Sequence, residues 1–166
     1  MKKQLISILL LFIASYSFAQ NSNCAKIKQL ISEANKKQLQ NEATGEKFQT
    51  ADDFDAWTAK TNLDGATKCY VQDANVAKMY VAEFGKSGAS KTADAELSKK
   101  MDELASMFSK CLGTEFMMRT IQTSDNVLKG FQYDGRGANL NTKISLMLIY
   151  NPGEKKQLLF VSLIHD

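Results

Sequence analysis

Apolar residues recur at helical spacing in two segments of the chain. Between residues 93 and 112 they form one continuous stripe, and the lysines and acidic residues lie mostly outside it. Thr92 can cap this helix, and Gly113 supplies the left-handed residue that often ends one. An earlier stripe predicts a helix over about 24–39, which Asn23 can cap. The stripes consist of Leu97, Met101, Leu104, Phe108, Cys111 and Leu112 in the later helix, and of Cys24, Ile27, Leu30, Ile31 and Ala34 in the earlier one.

Runs of β-prone residues between turn signals predict six strands. Two of them, at 67–72 and 76–84, are separated by three turn residues and read as a hairpin. The last strand is apolar on both faces, which indicates a central position or cover on both sides. The four strands predicted after the second helix, as an antiparallel meander, cover residues 115–123, 127–133, 140–150 and 156–165.

The segment from Thr50 to Lys60 predicts a short helix. Its first residues resemble a capping box, and Phe54 and Trp57 lie three residues apart on it. The element order is then helix, short helix, two strands, helix, four strands. This order predicts a single α+β domain, with two main helices packed on one face of a mainly antiparallel sheet. The sequence shows no internal repeat, and it does not predict the order of the strands.

The first residues have the three regions of a secretory signal peptide. Two lysines precede an uncharged apolar run over residues 5–14, and Ser17-Phe18-Ala19 places small residues before a cleavage site. A membrane anchor would need about 20 apolar residues, more than this run has. A lipid anchor on Cys24 would need a small, apolar lead that the chain lacks. We therefore expect residues 1–19 to be removed and the protein to be exported, to the periplasm or the cell exterior.

The charge of the mature chain and the length of its apolar runs argue against several kinds of partner. The sequence has 21 basic and 18 acidic residues, and two of the lysines belong to the signal peptide, so the mature domain is close to neutral. Nothing in this balance favours a nucleic acid or an anionic membrane surface as partner. The remainder of the sequence has no apolar run long enough to span a bilayer, so we expect the mature domain, residues 20–166, to be soluble.

Three cysteines would remain after export, and an oxidising compartment permits disulfides. We expect Cys69 to pair with Cys111, since Cys111 ends the stripe of the second helix and Cys69 lies on a strand that this helix can cover. Cys24 would then be a buried or unpaired thiol. The alternative is that all three are small core residues. The cysteine spacings fit no zinc pattern, so we expect no metal site.

Candidate catalytic groups are few. A nucleophilic mechanism needs an imidazole beside the nucleophile, and the only histidine, His165, is the penultimate residue. The densest group of carboxylates is Asp52, Asp53 and Asp55, but acidic residues are common in the first turn of a helix. We therefore expect no catalytic residue, and the sequence carries no motif that calls for a cofactor.

The most distinctive short segment is Asp134-Gly135-Arg136-Gly137. Arg136 is one of two arginines in the chain, and a guanidinium on a glycine-flanked loop can hold a carboxylate or phosphate through two hydrogen bonds. The alternative is a plain hairpin loop whose glycines supply positive φ angles. The candidate binding residues are Tyr133, Asp134, Arg136 and Trp57.

These features favour a non-enzymatic, exported binding protein, of the inhibitor or immunity kind. It would hold a protein partner of the cell envelope on a sheet face or on the loop at 134–139. A carboxylate-based envelope hydrolase is the second hypothesis, and it predicts two acidic side chains about 5–10 Å apart in a cleft. A carrier of a small apolar ligand is the third, and it predicts a sizeable hydrophobic cavity between helices and sheet.

Overall fold

A computed structural model gives the fold and describes residues 22–50, 53–73, 77–88 and 92–165. The predicted signal peptide at 1–19 lies outside the described residues. The helices are α1, over residues 22–35, and α2, Ala95–Leu112. The strands are β1 Ala43–Gln49, β2 Asp55–Ala59, β3 Lys68–Asp73, β4 Lys78–Ser87, β5 Phe116–Thr120, β6 Val127–Gly135, β7 Thr142–Asn151 and β8 Lys156–His165.

The eight strands form one antiparallel sheet in the order β1-β2-β3-β4-β8-β7-β6-β5. This confirms the α+β class and the central position of the last strand. Neither described helix is long and apolar enough to cross a membrane.

The topology contains a repeat that the sequence does not show. A helix followed by four strands occurs twice, as α1 with β1–β4 and as α2 with β5–β8. The last strand of each half pairs with the other, so that β4 and β8 join the two halves at the centre of the sheet.

The prediction of a short helix over 50–60 was wrong. Most of the described part of this segment belongs to strand β2, which pairs with β1 in a hairpin and places Ala56 opposite Phe48. Thr50 does cap a local turn, because its Oγ1 accepts a hydrogen bond from the amide of Phe54 at 3.1 Å. The chain then reverses at Asp53, whose φ of 61° no helix can continue. Pairing with strands on both sides outweighs the weak helical pattern here.

Both helices lie on the same face of the sheet. The predicted stripe of α2 is buried there, together with the apolar residues of α1. The cap of α2 is Asp94 rather than Thr92, since its carboxylate accepts hydrogen bonds from the amides of Glu96 and Leu97 at 3.0 Å. The sheet side of this core consists of Val71, Tyr80, Ala82, Phe84, Tyr133, Ile144, Leu146, Leu148, Leu159, Val161 and Leu163.

The predicted Cys69–Cys111 disulfide was wrong. The sulfur atoms of Cys24 and Cys111 lie at disulfide distance, with their Cα atoms 5.3 Å apart, and Cys69 is a buried free thiol on β3. Cys111 lies at the last turn of α2, which meets the first turn of α1 rather than β3. The sequence could not reveal this helix–helix contact, and through it the bridge connects the two halves of the fold.

Two tyrosine hydroxyls are buried in the same core with hydrogen-bond partners. Tyr80 donates to the carbonyl of Thr61 at 2.8 Å, and Tyr133 donates to the carbonyl of Ala105 at 2.8 Å. Burial raises the pKa of both phenols above the usual tyrosine value.

We predict that loss of the bridge strongly destabilises the fold. Cys24→Ala should lower the free energy of unfolding by about 4–5 kcal/mol in the chain-entropy model, because the bridged cysteines are 87 residues apart. Urea unfolding measures the loss, and Cys69→Ala is the matched control that keeps the bridge. Non-reducing peptide mapping that joins Cys69 to either other cysteine would contradict the assignment.

We predict that stability declines at alkaline pH partly through these two tyrosines. In the unfolded chain their phenols ionise near pH 10, whereas in the folded chain their pKa is raised. The unfolded state therefore gains stability as pH rises above about 10, by at most roughly 1.4 kcal/mol per pH unit for each tyrosine. Tyr80→Phe should cost about 1 kcal/mol at pH 7 but give a shallower alkaline decline. An unchanged slope in urea titrations at pH 9.5–11 would speak against this.

Candidate functional site: the groove on the open face of the sheet

The sheet face opposite the helices, called the open face here, carries a second set of apolar side chains. Tyr70 and Val81 are its buried centre, and Phe48, Met79 and Phe160 pack around them half-buried. These residues alternate along the strands with the residues that face the helices. The predicted strand at 76–84 corresponds to β4, which contributes Tyr80 and Ala82 to the helix-side core and Met79 and Val81 to the open face.

A groove of about 920 Å³ runs over this face. Its floor is formed by β3, β4, β7 and β8, and its walls by the tip of the β1–β2 hairpin and by the β7–β8 turn. The apolar-carrier hypothesis placed a cavity between helices and sheet, but this groove lies on the opposite side. The apolar and aromatic lining residues are Phe54, Tyr70, Met79, Val81, Met147, Ile149, Tyr150, Leu158 and Phe160.

The β7–β8 wall is held by hydrogen bonds. Asn151 accepts hydrogen bonds on its side-chain oxygen from the amides of Gly153, at 2.9 Å, and Glu154, at 3.2 Å. The amide of Tyr150 donates to the carbonyl of Asn126 at 2.8 Å, which ties the β5–β6 loop to the same wall. These hydrogen bonds hold the turn between β7 and β8 in shape and limit how far this wall can move.

The charged side chains of the groove divide into paired and unpaired groups. Lys86 lies 3.9 Å from the carboxylate of Glu83 and 3.5 Å from that of Glu154. Lys68 places its ammonium 4.0 Å from the ring centroid of Phe48 and 5.1 Å from that of Tyr70. Of the described residues, the charged ones that line the groove are Lys68, Glu83, Lys86, Glu154 and Lys156, which gives one more positive than negative charge.

The structure does not bring the predicted binding residues together. Trp57 lies on β2 and Tyr133 on β6, five strands apart in the sheet, which corresponds to about 24 Å. Tyr133 is only 2 % exposed and belongs to the core, so it has no free surface to offer a partner. Trp57 is half-buried, and the ammonium of Lys78 lies 4.8 Å from its ring centroid.

Asp134 and Arg136, the two binding candidates predicted on the loop at 134–139, differ in their contacts and exposure. Asp134 forms an ion pair with Arg119 at 2.9 Å and accepts a hydrogen bond from Gln132 at 2.5 Å. Arg136 is exposed, and its backbone amide donates to the carbonyl of Glu115 at 2.9 Å. Gly135 is required for packing, since a Cβ atom there would lie 1.8 Å from the carbonyl oxygen of Asn139. A binding role for Arg136 stays a prediction.

Two of the groups considered for catalysis, Asp55 and His165, have structural partners. Of the acidic cluster, Asp52 lies outside the described residues, and Asp55 is held by Lys47 at 3.0 Å and Gln49 at 2.5 Å. These hydrogen bonds lower the pKa of Asp55, which suits a permanently charged carboxylate rather than a general acid. His165 lies with its Nδ1 3.0 Å from the Thr142 hydroxyl. Among the described residues, no three metal-ligating side chains converge.

Sequence reasoning missed the residues of the groove because they are spread over strands whose order it could not predict. The available signal was that β4 and β8 are apolar on both faces, although only one face can meet the helices. A search of protein-family models, of curated proteins and of solved structures finds no match for this chain. Any functional assignment therefore depends on the geometry of this molecule.

Proposed function

We propose that this chain is an exported, non-enzymatic protein-binding module, of the inhibitor or immunity kind, and that the groove holds its partner. The observation that carries the proposal is a groove of about 920 Å³, with apolar and aromatic side chains on its floor, on the face of the sheet opposite the helices. Large exposed apolar patches on a soluble domain mark interaction sites.

The composition of the groove supports a protein partner. Aromatic and methionine side chains are enriched at protein–protein interfaces, and such residues line its floor. Phe160 and Met147 lie opposite each other on β8 and β7, which makes an apolar centre on the floor of a groove that charged side chains also line. This arrangement resembles an interface with an apolar centre and a polar rim.

The rigidity of the groove also favours binding. Its floor consists of four adjacent strands, and one wall is fixed by the side-chain hydrogen bonds of Asn151. A surface that is already ordered loses little conformational entropy when a partner docks. Strands therefore provide a better site here than an isolated loop would.

Export agrees with the chemistry of the cysteines. Disulfides persist in oxidising compartments and are rare in the cytosol. The Cys24–Cys111 pair at disulfide distance is thus what an exported domain would carry. It supports the interpretation of residues 1–19 as a signal peptide.

The hydrolase alternative has one acid pair to consider in the groove. Glu83 and Glu154 both lie within 4 Å of Lys86. A glycosidase needs one carboxyl group that holds its proton and one that is charged. An ammonium shared by the two carboxylates makes an ion-pair network instead, which favours a structural role for these residues.

We predict that truncating methionines in the groove weakens partner binding. The tagged, oxidised protein captures its partner from the native envelope, and the affinity for that partner is then measured with variants. Met79→Ala/Met147→Ala should raise the dissociation constant at least about tenfold, as is common for truncations near the centre of an interface.

Met117→Ala/Met118→Ala is the matched control, because these methionines are about half exposed on the edge strand β5, away from the groove. Urea unfolding of both double variants checks that the fold persists. A loss confined to the β5 pair would place the interface at the edge strand. Failure to retain any specific protein would count against a binding function.

A further inference from the structure

We infer that Lys68 is the groove's subsite for an acidic side chain of the partner, flanked there by apolar partner residues. This inference rests on the proposed function, and it names the chemistry that the groove recognises. It depends on how the Lys68 ammonium is held, on what the other lysines of the protein contact, and on the other charges of the groove.

Two aromatic rings position the Lys68 ammonium. It lies 4.0 Å from the ring centroid of Phe48 and 5.1 Å from that of Tyr70. The two rings themselves pack edge to face, with centroids 5.8 Å apart and planes at 74°. Cation–π attraction to both rings restrains an otherwise flexible lysine, so its charge occupies a defined place at the groove.

The contacts of Lys68 differ from those of other lysines that lie over rings. Lys78 also forms an ion pair with Asp73 at 2.7 Å, and Lys129 forms one with Asp102 at 2.7 Å. Lys100 donates a hydrogen bond to the carbonyl of Phe84 at 2.6 Å. Among the described residues, Lys68 is the lysine that combines ring contacts with no hydrogen bond or ion pair. Its three N–H donors are left for solvent or a ligand.

The acids nearest to Lys68 are engaged elsewhere. Glu83 lies directly opposite Lys68 on β4, on the same face of the sheet. Its carboxylate nevertheless lies 3.9 Å from the ammonium of Lys86, which also contacts Glu154. Because Lys86 contacts both glutamates that line the groove, the positive charge at Lys68 has no counterion among the described residues. A carboxylate from a partner would supply it.

The surroundings of Lys68 indicate what lies beside that carboxylate. Phe160 is the cross-strand neighbour of Glu83, and Val81 is that of Tyr70, so apolar surface begins one strand away from the ammonium. An extended segment of the partner with an aspartate or glutamate between apolar residues would match the charge at Lys68 and the apolar surface beside it.

Two synthetic peptides test the inference directly. One alternates phenylalanine and glutamate, and the other alternates phenylalanine and lysine. The wild-type protein should bind the glutamate peptide at least about fivefold more tightly, and the preference should shrink as salt is raised. Lys68→Met should abolish the preference and Lys68→Glu should invert it, whereas Lys99→Met, on the exposed side of α2, should leave it unchanged.

The variants separate this inference from the proposed function. If Met79→Ala/Met147→Ala weakens binding of the captured partner but Lys68→Met does not, the groove is the interface and the role of Lys68 is overturned. If neither variant weakens it, the groove is not the interface and the proposed function fails. The absence of a preference for the glutamate peptide in the wild-type protein also overturns the inference.

Discussion

The pairing of β4 with β8 is the contact on which the rest of the structure depends. It joins two helix-plus-four-strand halves into one sheet, and its register assigns each side chain to a face. Tyr80 lies opposite Leu163 and faces the helices, whereas Val81 lies opposite Ser162 on the open face. A slip of one residue would exchange the faces of a whole strand and turn Tyr80 and its neighbours away from the core. The central register therefore determines both the core and the groove.

The groove follows from this topology. Each half of the fold contributes one main helix for four strands, and both helices lie on the same face, where Cys24 and Cys111 connect them. Nothing comparable is described on the other face, so Met79 and Phe160 of the central strands remain half-buried there. Part of their apolar surface is in contact with water, and burying it under another chain would be favourable. A protein partner that docks in the groove would supply that cover.

The sequence predicts elements well where one pattern dominates. The stripe of α2 and the double-sided apolar pattern of β8 predict both elements and the central position of β8. The segment at 50–60 misleads because Trp57 and Phe54 fit a helical spacing equally well, and only pairing with β1 and β3 decides for a strand. The cysteine pairing and the groove depend on which elements are neighbours. Such contacts are not visible in a single sequence, and for the same reason Tyr133, a core residue at the end of a predicted strand, was named as a candidate binding residue.

Two lysines of the groove illustrate how the same residue type serves stability and recognition. Lys86 is surrounded by the carboxylates of Glu83 and Glu154 and thereby connects the β7–β8 wall to the floor. Lys68 is held by rings instead of carboxylates, so its position is restrained while no described residue uses its hydrogen-bonding capacity. An ion-paired lysine must break existing contacts to bind an acidic ligand, and the cost offsets much of the gain. A lysine oriented by aromatic rings keeps those contacts when the ligand arrives, which makes Lys68 the better suited of the two for recognition.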